Sequence, residues 1–333
     1  MSVASDLRPI IEALDEPSLL IDGTRVLVAN KAARELVGRG IEGRDVRLAI
    51  RHPAALEHIL SGRSGDAEIS GVGGAERPWG LSIRSAGRGL LLVRLTDRSA
   101  ARAAEKMRVD FVANASHELR TPLATILGYA ETLAEENGLE PALYARFGGT
   151  IRSEARRMLR IVEDLMSLSR IEAERFVPAP DRVSPAALVA LAAERGQPLA
   201  ESRRCRIETD VAPEVPDVRG DHGLLVQLLD NLVANAIRYG CGAGGCTVRI
   251  TARREGRAVI LRVADDGEGI AREHLPRLTE RFYRVDAARS RDSGGTGLGL
   301  AIVKHIVERH RGSLEIRSSV GVGTEVSVSL PLD

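Results

Sequence analysis

His117 lies in a helical stretch, NASHELRTPLATILGY over residues 114–129, beside Glu118, with Thr121 one turn further on and Pro122 immediately after it. The Nε2 of a neutral imidazole is a nucleophile near neutral pH when the other ring nitrogen keeps its proton and the ring is held in one orientation. Glu118 can accept that Nδ1 proton in a hydrogen bond, or take up a proton during group transfer. Thr121, at i+4, shares the histidine's face, where its hydroxyl can position a water. Pro122 has no N–H to give the Glu118 carbonyl, so it interrupts the backbone ladder one turn after the acid and favours a kink. A lone helical histidine is ordinarily a surface residue; with these neighbours the stretch points to nucleophilic chemistry.

A second group of residues lies downstream. DNLVANAIRY places Asn231 and Asn235 at i and i+4 on one helical face, with Arg238 and Tyr239 in the next turn. DDGEGI supplies an acid, Asp265, then Gly267 and Gly269 before Ile270, where backbone can come close to a flat ligand. GGTGLGLAIVKHI opens a helix with Gly295, Thr296, Gly297, Leu298, Gly299 and Leu300, and glycines there leave backbone N–H groups and the positive end of the helix dipole open to phosphates. Between the last two, RFYRVDAARSRDSGG is polar, Arg-rich and Gly-terminated, as a lid over an anion would be. Each piece alone is weak; their order within about 70 residues is specific. It is neither the Gly-x4-Gly-Lys-Ser/Thr phosphate loop nor a dinucleotide fingerprint.

Elements of three kinds must position these residues. Residues 1–98 alternate short strand-like runs (SLLIDG, RVLVAN, WGLSIR, GLLLVRL) with short helical ones (LRPIIEAL, NKAARELVG, PAALEHIL), a pattern for a small α+β domain. A long helical period then carries Phe111, Ala115, Leu119, Pro122/Leu123, Ile126, Ala130 and Leu133 on one stripe. A stop near Gly138 and a start near Pro141 lead into a second helix with Phe147, Ile151, Ala155, Met158, Val162, Leu165 and Ser169 on its stripe. Two such helices form an antiparallel hairpin that cannot cover both stripes, so pairing with a second copy into a four-helix bundle is expected. After a Pro-interrupted linker around Pro178, helices and strands alternate from 183 to 333.

Bulk properties narrow the class. A chain of 333 residues suggests two or three domains, and 44% apolar residues supply real cores. A net charge of +1 gives no global footprint for nucleic acid or an anionic membrane. No apolar run reaches the roughly 18–20 residues of a membrane helix and no signal peptide is legible, so the expected setting is the cytoplasm, for a soluble protein or the soluble part of a membrane-anchored parent. Cys205, Cys241 and Cys246 form no even framework, and the last two, spaced by four residues, lack the further Cys or His ligands a zinc site needs, so all three are expected to be reduced thiols. His52 and His58 match no haem motif and are expected to be ordinary surface histidines.

With these motifs in place, the chain resembles sensor histidine kinases of two-component signalling over essentially its whole length. ASHELRTPL is similar to the family's H box, NLVANAIRY to its N box, DDGEGI and GGTGLGLAIV to its two glycine boxes and RFYRVD to its F box. GVGTEVSVSLP resembles the closing strand pair, and LLIDGTRVLVANKAARELVG the opening of a PAS domain. The arrangement is most like the phosphate-regulon type. The resemblance implies a multi-domain α+β chain: a PAS-like sensor (1–98), a helical hairpin forming a dimeric four-helix bundle (99–175), and a Bergerat-type α/β sandwich that binds ATP (176–333).

It further implies that His117 is the phosphoacceptor and Glu118 its acid or base. Asn231 and Asn235 would hold Mg²⁺ and the triphosphate, with Arg238 and Tyr239 nearby. Asp265 would accept the adenine amino group, Gly267, Gly269 and Ile270 would line the base pocket, and residues 295–300 would shape the phosphate-binding lid. The implied function is autophosphorylation of His117 from Mg-ATP and transfer to an aspartate of a response regulator, with the Glu118-x-x-Thr121 pattern of kinases that also dephosphorylate that regulator. The alternatives are a non-catalytic ATP-binding scaffold and an ATPase of the gyrase and mismatch-repair class. The latter carry Glu where this chain has Asn231, and an amide cannot activate water as that acid does. Arg238 departs from the common lysine, which keeps charge but changes geometry.

Overall fold

Strands β1 (Ser18–Asp22) and β5 (Leu90–Asp97) are apolar on both faces, which is what a sheet covered on both sides requires. The computed structural model describes residues 3–72, 77–135, 140–174, 181–241, 245–285 and 295–332. Gly138, Pro178 and residues 286–294 of the expected lid lie outside them. The chain forms two compact units, Met1–Val112 and Ala113–Asp333.

In the first unit, β1 and β5 sit in an antiparallel sheet with β2 (Arg25–Ala29), β3 (Gly65–Ile69) and β4 (Trp79–Gly87), in the order β2-β1-β5-β4-β3. Alternation sends Leu19, Ile21, Val93 and Leu95 into the larger core cluster, with Ala33 of α2 (Lys31–Val37) and Ile59 of α3 (Pro53–Leu60). Leu20, Val28 and Leu90 pack on the other face with Ile11 of α1 (Val3–Glu12). The helices and four of the five strands fall where the apolar runs predict; β3, GDAEI, is too polar to be legible.

Asn30 locks this arrangement. Fully buried, its Oδ1 accepts from Ser18 N (3.0 Å) and from Ala33 N (2.9 Å), capping α2, while its Nδ2 donates to the carbonyls of Leu14 (2.7 Å) and Glu16 (2.8 Å). Asn30→Ala leaves these groups without partners at a buried site and is expected to lower stability by about 2–4 kcal/mol, read from urea unfolding. His52 and His58 are half-buried, with the His58 ring against Gly65.

The second unit begins with the hairpin. Helix α4 (Ser99–Glu135) stays helical through Pro122, and α5 (Pro141–Ala173) runs back along it. The Tyr129 and Phe147 rings lie 4.9 Å apart and Glu118 reaches Arg157, so positions falling along one helix meet positions rising along the other. Both stripes are incompletely covered: Leu123 of one and Val162 of the other are exposed, as are Leu127 and Met166, each next in sequence to a stripe position.

The rest of this unit is a sheet ordered β11-β12-β10-β9-β7. Its strands are β7 (Arg206–Val211), β9 (Thr247–Glu255), β10 (Ala258–Asp265), β11 (Ser313–Ser319) and β12 (Gly323–Pro331). β7 pairs parallel with β9, and the other pairs are antiparallel. Every second residue of β9 and β10 (Val248, Ile250, Ala252; Val259, Leu261, Val263) is buried beneath helices α6 (Pro185–Ser202), α7 (His222–Asn235) and α8 (Gly299–Arg309). A short pair, β6 (Asp181–Val183) with β8 (Val218–Gly220), precedes α7.

His310, 6% exposed at the end of α8, joins two helix ends: its Nε2 accepts from Asp221 N (2.9 Å), the residue that caps α7, and its Nδ1–H donates to the Ile306 carbonyl (2.7 Å). The bond that Nε2 accepts requires a neutral ring, and burial holds the pKa below the ordinary histidine value, with Arg309 adding to that and the Ile306 carbonyl and Asp221 opposing it. The unfolded chain therefore takes up the proton first, so stability is lost as pH falls below about 6.5. Urea unfolding at pH 7.5 and 5.5 is expected to show a larger acid loss for the native protein than for His310→Gln.

Candidate active site

His117 is exposed on α4 and opens into a cleft of about 290 Å³. Asn114, His117 and Glu118 line it together with Arg277, Glu280, Arg281, Phe282 and Tyr283. The latter segment is held in shape locally: Tyr283 OH lies 2.7 Å from His274 Nδ1 with the Arg277 guanidinium stacked 4.2 Å over its ring, and Phe282, at φ +64°, donates its N–H to the Gly297 carbonyl (2.7 Å). The imidazole is open to solvent in a cleft that Arg277 and Arg281 line together with Glu118 and Glu280.

Glu118 does not serve His117 in this arrangement. Its Oε2 accepts from Arg157 (3.0 Å) and from Arg284 (3.0 Å), both with side chains 7% exposed, and Arg284 also donates to the Gly295 carbonyl (2.8 Å). Among the described residues no hydrogen bond joins Glu118 to His117. Adjacent helical residues diverge around the axis, so the expected pairing is corrected to an acid bridging α5 and the segment after Tyr283. Thr121 is exposed, with its hydroxyl donating to the His117 carbonyl (3.3 Å) one turn back.

The downstream motifs converge on the first turn of α8. A Cβ on Gly299 would lie 3.6 Å from Asn231 Oδ1 and 3.6 Å from Asn235 Nδ2, so both amides of α7 face the glycine-opened helix start. Asn231 Nδ2 is buried and has no acceptor among the described residues. That orphaned donor fits a phosphate oxygen, and the amide oxygens of the pair are hard ligands of the kind Mg²⁺ takes. Gly297, at φ +74°, brings its backbone against Phe282, and Leu298 N donates to the Thr296 hydroxyl (3.3 Å). Thr296 in turn donates to Asp164 of α5 (2.7 Å), whose pKa burial raises against the pull of that bond. Leu298 is fully buried and Leu300 half-buried.

Asp265 ends β10, and its Oδ1 accepts from Gly267 N (3.1 Å) and Thr324 N (3.3 Å). Burial raises its pKa, and the two N–H donors oppose that. Gly267 lies flat on Gly240: a Cβ there would be 1.8 Å from the Gly240 carbonyl oxygen. Ile270 N donates to Ser318 (2.8 Å), fixing the turn that contains Gly269. The last turn of the Asn helix, Ala236–Gly240, is widened into a π-helical turn that carries Arg238, whose charge is disfavoured by burial and favoured by Tyr239 and Asp164, and Tyr239, which is exposed.

Two family models match this unit: His Kinase A (phospho-acceptor) domain over residues 107–174, and Histidine kinase-, DNA gyrase B-, and HSP90-like ATPase over 220–333. The sensor-like histidine kinase SenX3 of Mycobacterium tuberculosis is 35% identical over 340 aligned residues, covering 99% of this chain and 81% of the relative. The chain belongs to the sensor histidine kinase family. The phosphate regulon sensor protein PhoR of Pseudomonas aeruginosa is 43% identical over 235 residues, 71% of this kinase and 52% of the relative, so the chain spans about half of that protein's length. The solved structure of histidine kinase ThkA in complex with response regulator protein TrrA shares the fold, with a TM-score of 0.56 at 17% identity over 97% of this chain and 98% of that one.

Several residues at the site of this histidine kinase are not legible in its motifs. Arg157, Asp164 and Arg284 reach Glu118 and Thr296 from 39, 132 and 166 residues away in sequence, with no local signal beyond charges placed among apolar helix positions. The gathering of the three cysteines is not legible in the motifs either. Cys205, from the α6–β7 corner, is brought to Cys241 and Cys246, and all three sulfurs lie within 4.8 Å of one another. Among the described residues no helix is long and apolar enough to cross a membrane.

Proposed function

We propose that this kinase transfers the γ-phosphoryl group of ATP to Nε2 of His117 and passes it on to an aspartate of a response regulator's receiver domain. The carrying observation is an exposed imidazole in a cleft whose lining includes the segment that leads into the glycine-opened start of α8. Asn231 and Asn235 would hold the triphosphate and Mg²⁺, which neutralises charge on the phosphates when bound. Asp265 would accept from the adenine amino group beside Gly267, Gly269 and Ile270, with Arg238 and Tyr239 near the phosphates and residues 295–300 forming the base of the lid. Nε2 then attacks phosphorus in line as the bond to the β,γ-bridging oxygen breaks and ADP leaves; the protein's contribution is chiefly position and charge. In the arrangement described, Glu118 is held by two guanidiniums, so its work as acid or base at His117 requires Arg284 to let go.

The three-part organisation (1–98, 99–175, 176–333), a PAS-like sensor at the N-terminus and a cytoplasmic setting belong to the same proposal. The exposed Leu123, Leu127, Val162 and Met166 support a homodimer through the hairpin, where a second copy would cover them. The Asn231 amide favours a kinase over a water-activating ATPase. Incubation with γ-labelled ATP and Mg²⁺ tests the reading: the label on the protein should be acid-labile and alkali-stable. ATP bound without any such label would favour the non-catalytic scaffold instead.

Thr121 makes the kinase bifunctional in this reading. Its exposed hydroxyl, one turn below His117, is placed to hold the water that hydrolyses the regulator's acyl phosphate. Thr121→Ala is expected to keep most autophosphorylation while regulator dephosphorylation falls by about tenfold or more. Equal loss of both activities would reject that role.

A further inference from the structure

Cys205 precedes β7, Cys241 follows the π-helical turn directly, and Cys246 precedes β9. Cys205 Sγ lies 3.7 Å from Cys246 Sγ, and Cys241 Sγ is in bonding contact with both. A sulfur forms one disulfide bond at most, so a disulfide could join only two of the three and would leave the third a thiol beside it. One ion bound to three thiolates holds all three. Tetrahedral zinc with bonds of about 2.3 Å to sulfur sets sulfur pairs about 3.8 Å apart, close to the Cys205–Cys246 spacing; the two contacts of Cys241 are shorter, so its Sγ must draw back for the ion to enter.

We propose that Cys205, Cys241 and Cys246 bind one zinc ion through three thiolates, with solvent as the fourth ligand. The donor set decides the class: among the described residues the cluster contains no carboxylate or imidazole, and an all-thiolate set selects a soft or borderline ion over Mg²⁺ or Ca²⁺. Cys241 is buried whereas Cys205 and Cys246 are half-exposed, which leaves a side open to solvent. Each thiol releases its proton to solvent on binding, so affinity rises with pH.

The position gives the ion a second effect. Arg206 N donates to the Cys246 carbonyl (2.9 Å), joining the starts of β7 and β9, and Cys241 is bonded to Gly240, the residue on which Gly267 and Asp265 rest. Fixing Cys241 therefore fixes one wall of the proposed base pocket, and zinc should tighten adenine-nucleotide binding. Only this coupling rests on the kinase reading; the metal site does not.

The test uses the full chain, reduced with a phosphine and titrated anaerobically with Co²⁺. The expected result is one equivalent of tetrahedral cobalt with a thiolate-to-metal charge-transfer band, displaced by Zn²⁺. Cys246→Ser, at a half-exposed position, and Cys241→Ser, at the buried one, should each weaken or abolish the band, with unfolding curves confirming that the variants are folded. Zinc should also slow thiol alkylation by about tenfold or more. No band, a band unchanged in both folded variants, or binding of copper(I) but not zinc would overturn the assignment. A normal cobalt titration with no effect on nucleotide affinity would retain the site and reject the coupling.

Discussion

Gly267→Ala is expected to weaken ATP binding by roughly a hundredfold while the helical hairpin remains folded. The added methyl would sit 1.8 Å from the Gly240 carbonyl oxygen, with the carbonyl carbon 2.4 Å away. Both are backbone atoms, so no rotamer change relieves the overlap. Gly240 has no room to retreat, because its own α-carbon faces the Asp265 carboxyl group, where a Cβ would be 2.4 Å from the carboxyl carbon. Relief must come from separating the end of β10 from the π-helical turn, which dismantles the surface proposed for adenine. Overpacking of side chains alone costs about 1–3 kcal/mol, and a backbone clash belongs at or above the top of that range. At 1.4 kcal/mol per factor of ten, a penalty of about 3 kcal/mol weakens nucleotide affinity roughly a hundredfold. Calorimetric titration with a non-hydrolysable ATP analogue reads this, and native affinity in the variant would remove Gly267 from the pocket.

His117→Gln is expected to eliminate protein labelling from ATP and to leave nucleotide affinity where it was. Glutamine is neutral and can keep hydrogen bonds at an exposed helical position, yet it has no nucleophilic nitrogen. Loss of the attacking group should reduce labelling by at least about a thousandfold, equivalent to about 4 kcal/mol in the barrier. The paired measurement matters, since His117 contacts neither the Asn pair nor Asp265 in the structure's hydrogen bonds. Label retained in the variant would place the phosphoacceptor elsewhere.

What could be seen in the sequence was local. Asn231 with Asn235, and Asp265 with Gly267, act across one turn of helix or two residues of loop, so their spacing carries their geometry. Four of the five strands of the first unit were legible for the same reason. What was hidden depends on contacts that close over long stretches of chain. The partners of Glu118 come from α5 and from the segment after Tyr283, and neither arginine is distinguishable in sequence from a solvated one. Three cysteines that look unrelated along the chain become neighbours only because β7 pairs parallel with β9, which draws the α6–β7 corner to the end of the Asn helix. β3 escaped notice because a strand with alternating exposed residues needs few apolar ones.

That parallel pair also bears on how the chain emerges from the ribosome. β7 starts at Arg206, and its partner β9 starts at Thr247 with α7 between them. At synthesis rates of about 5–20 residues per second, β7 waits several seconds for a partner, and a nascent strand with open backbone groups is a template for wrong pairing. Its sequence, RIETDV, places Arg206, Glu208 and Asp210 at every second position. Set parallel and in register against a second identical strand, these charges meet like for like and repel, and because β7 remains the outermost strand after folding, the same three side chains stand along that margin in the finished protein.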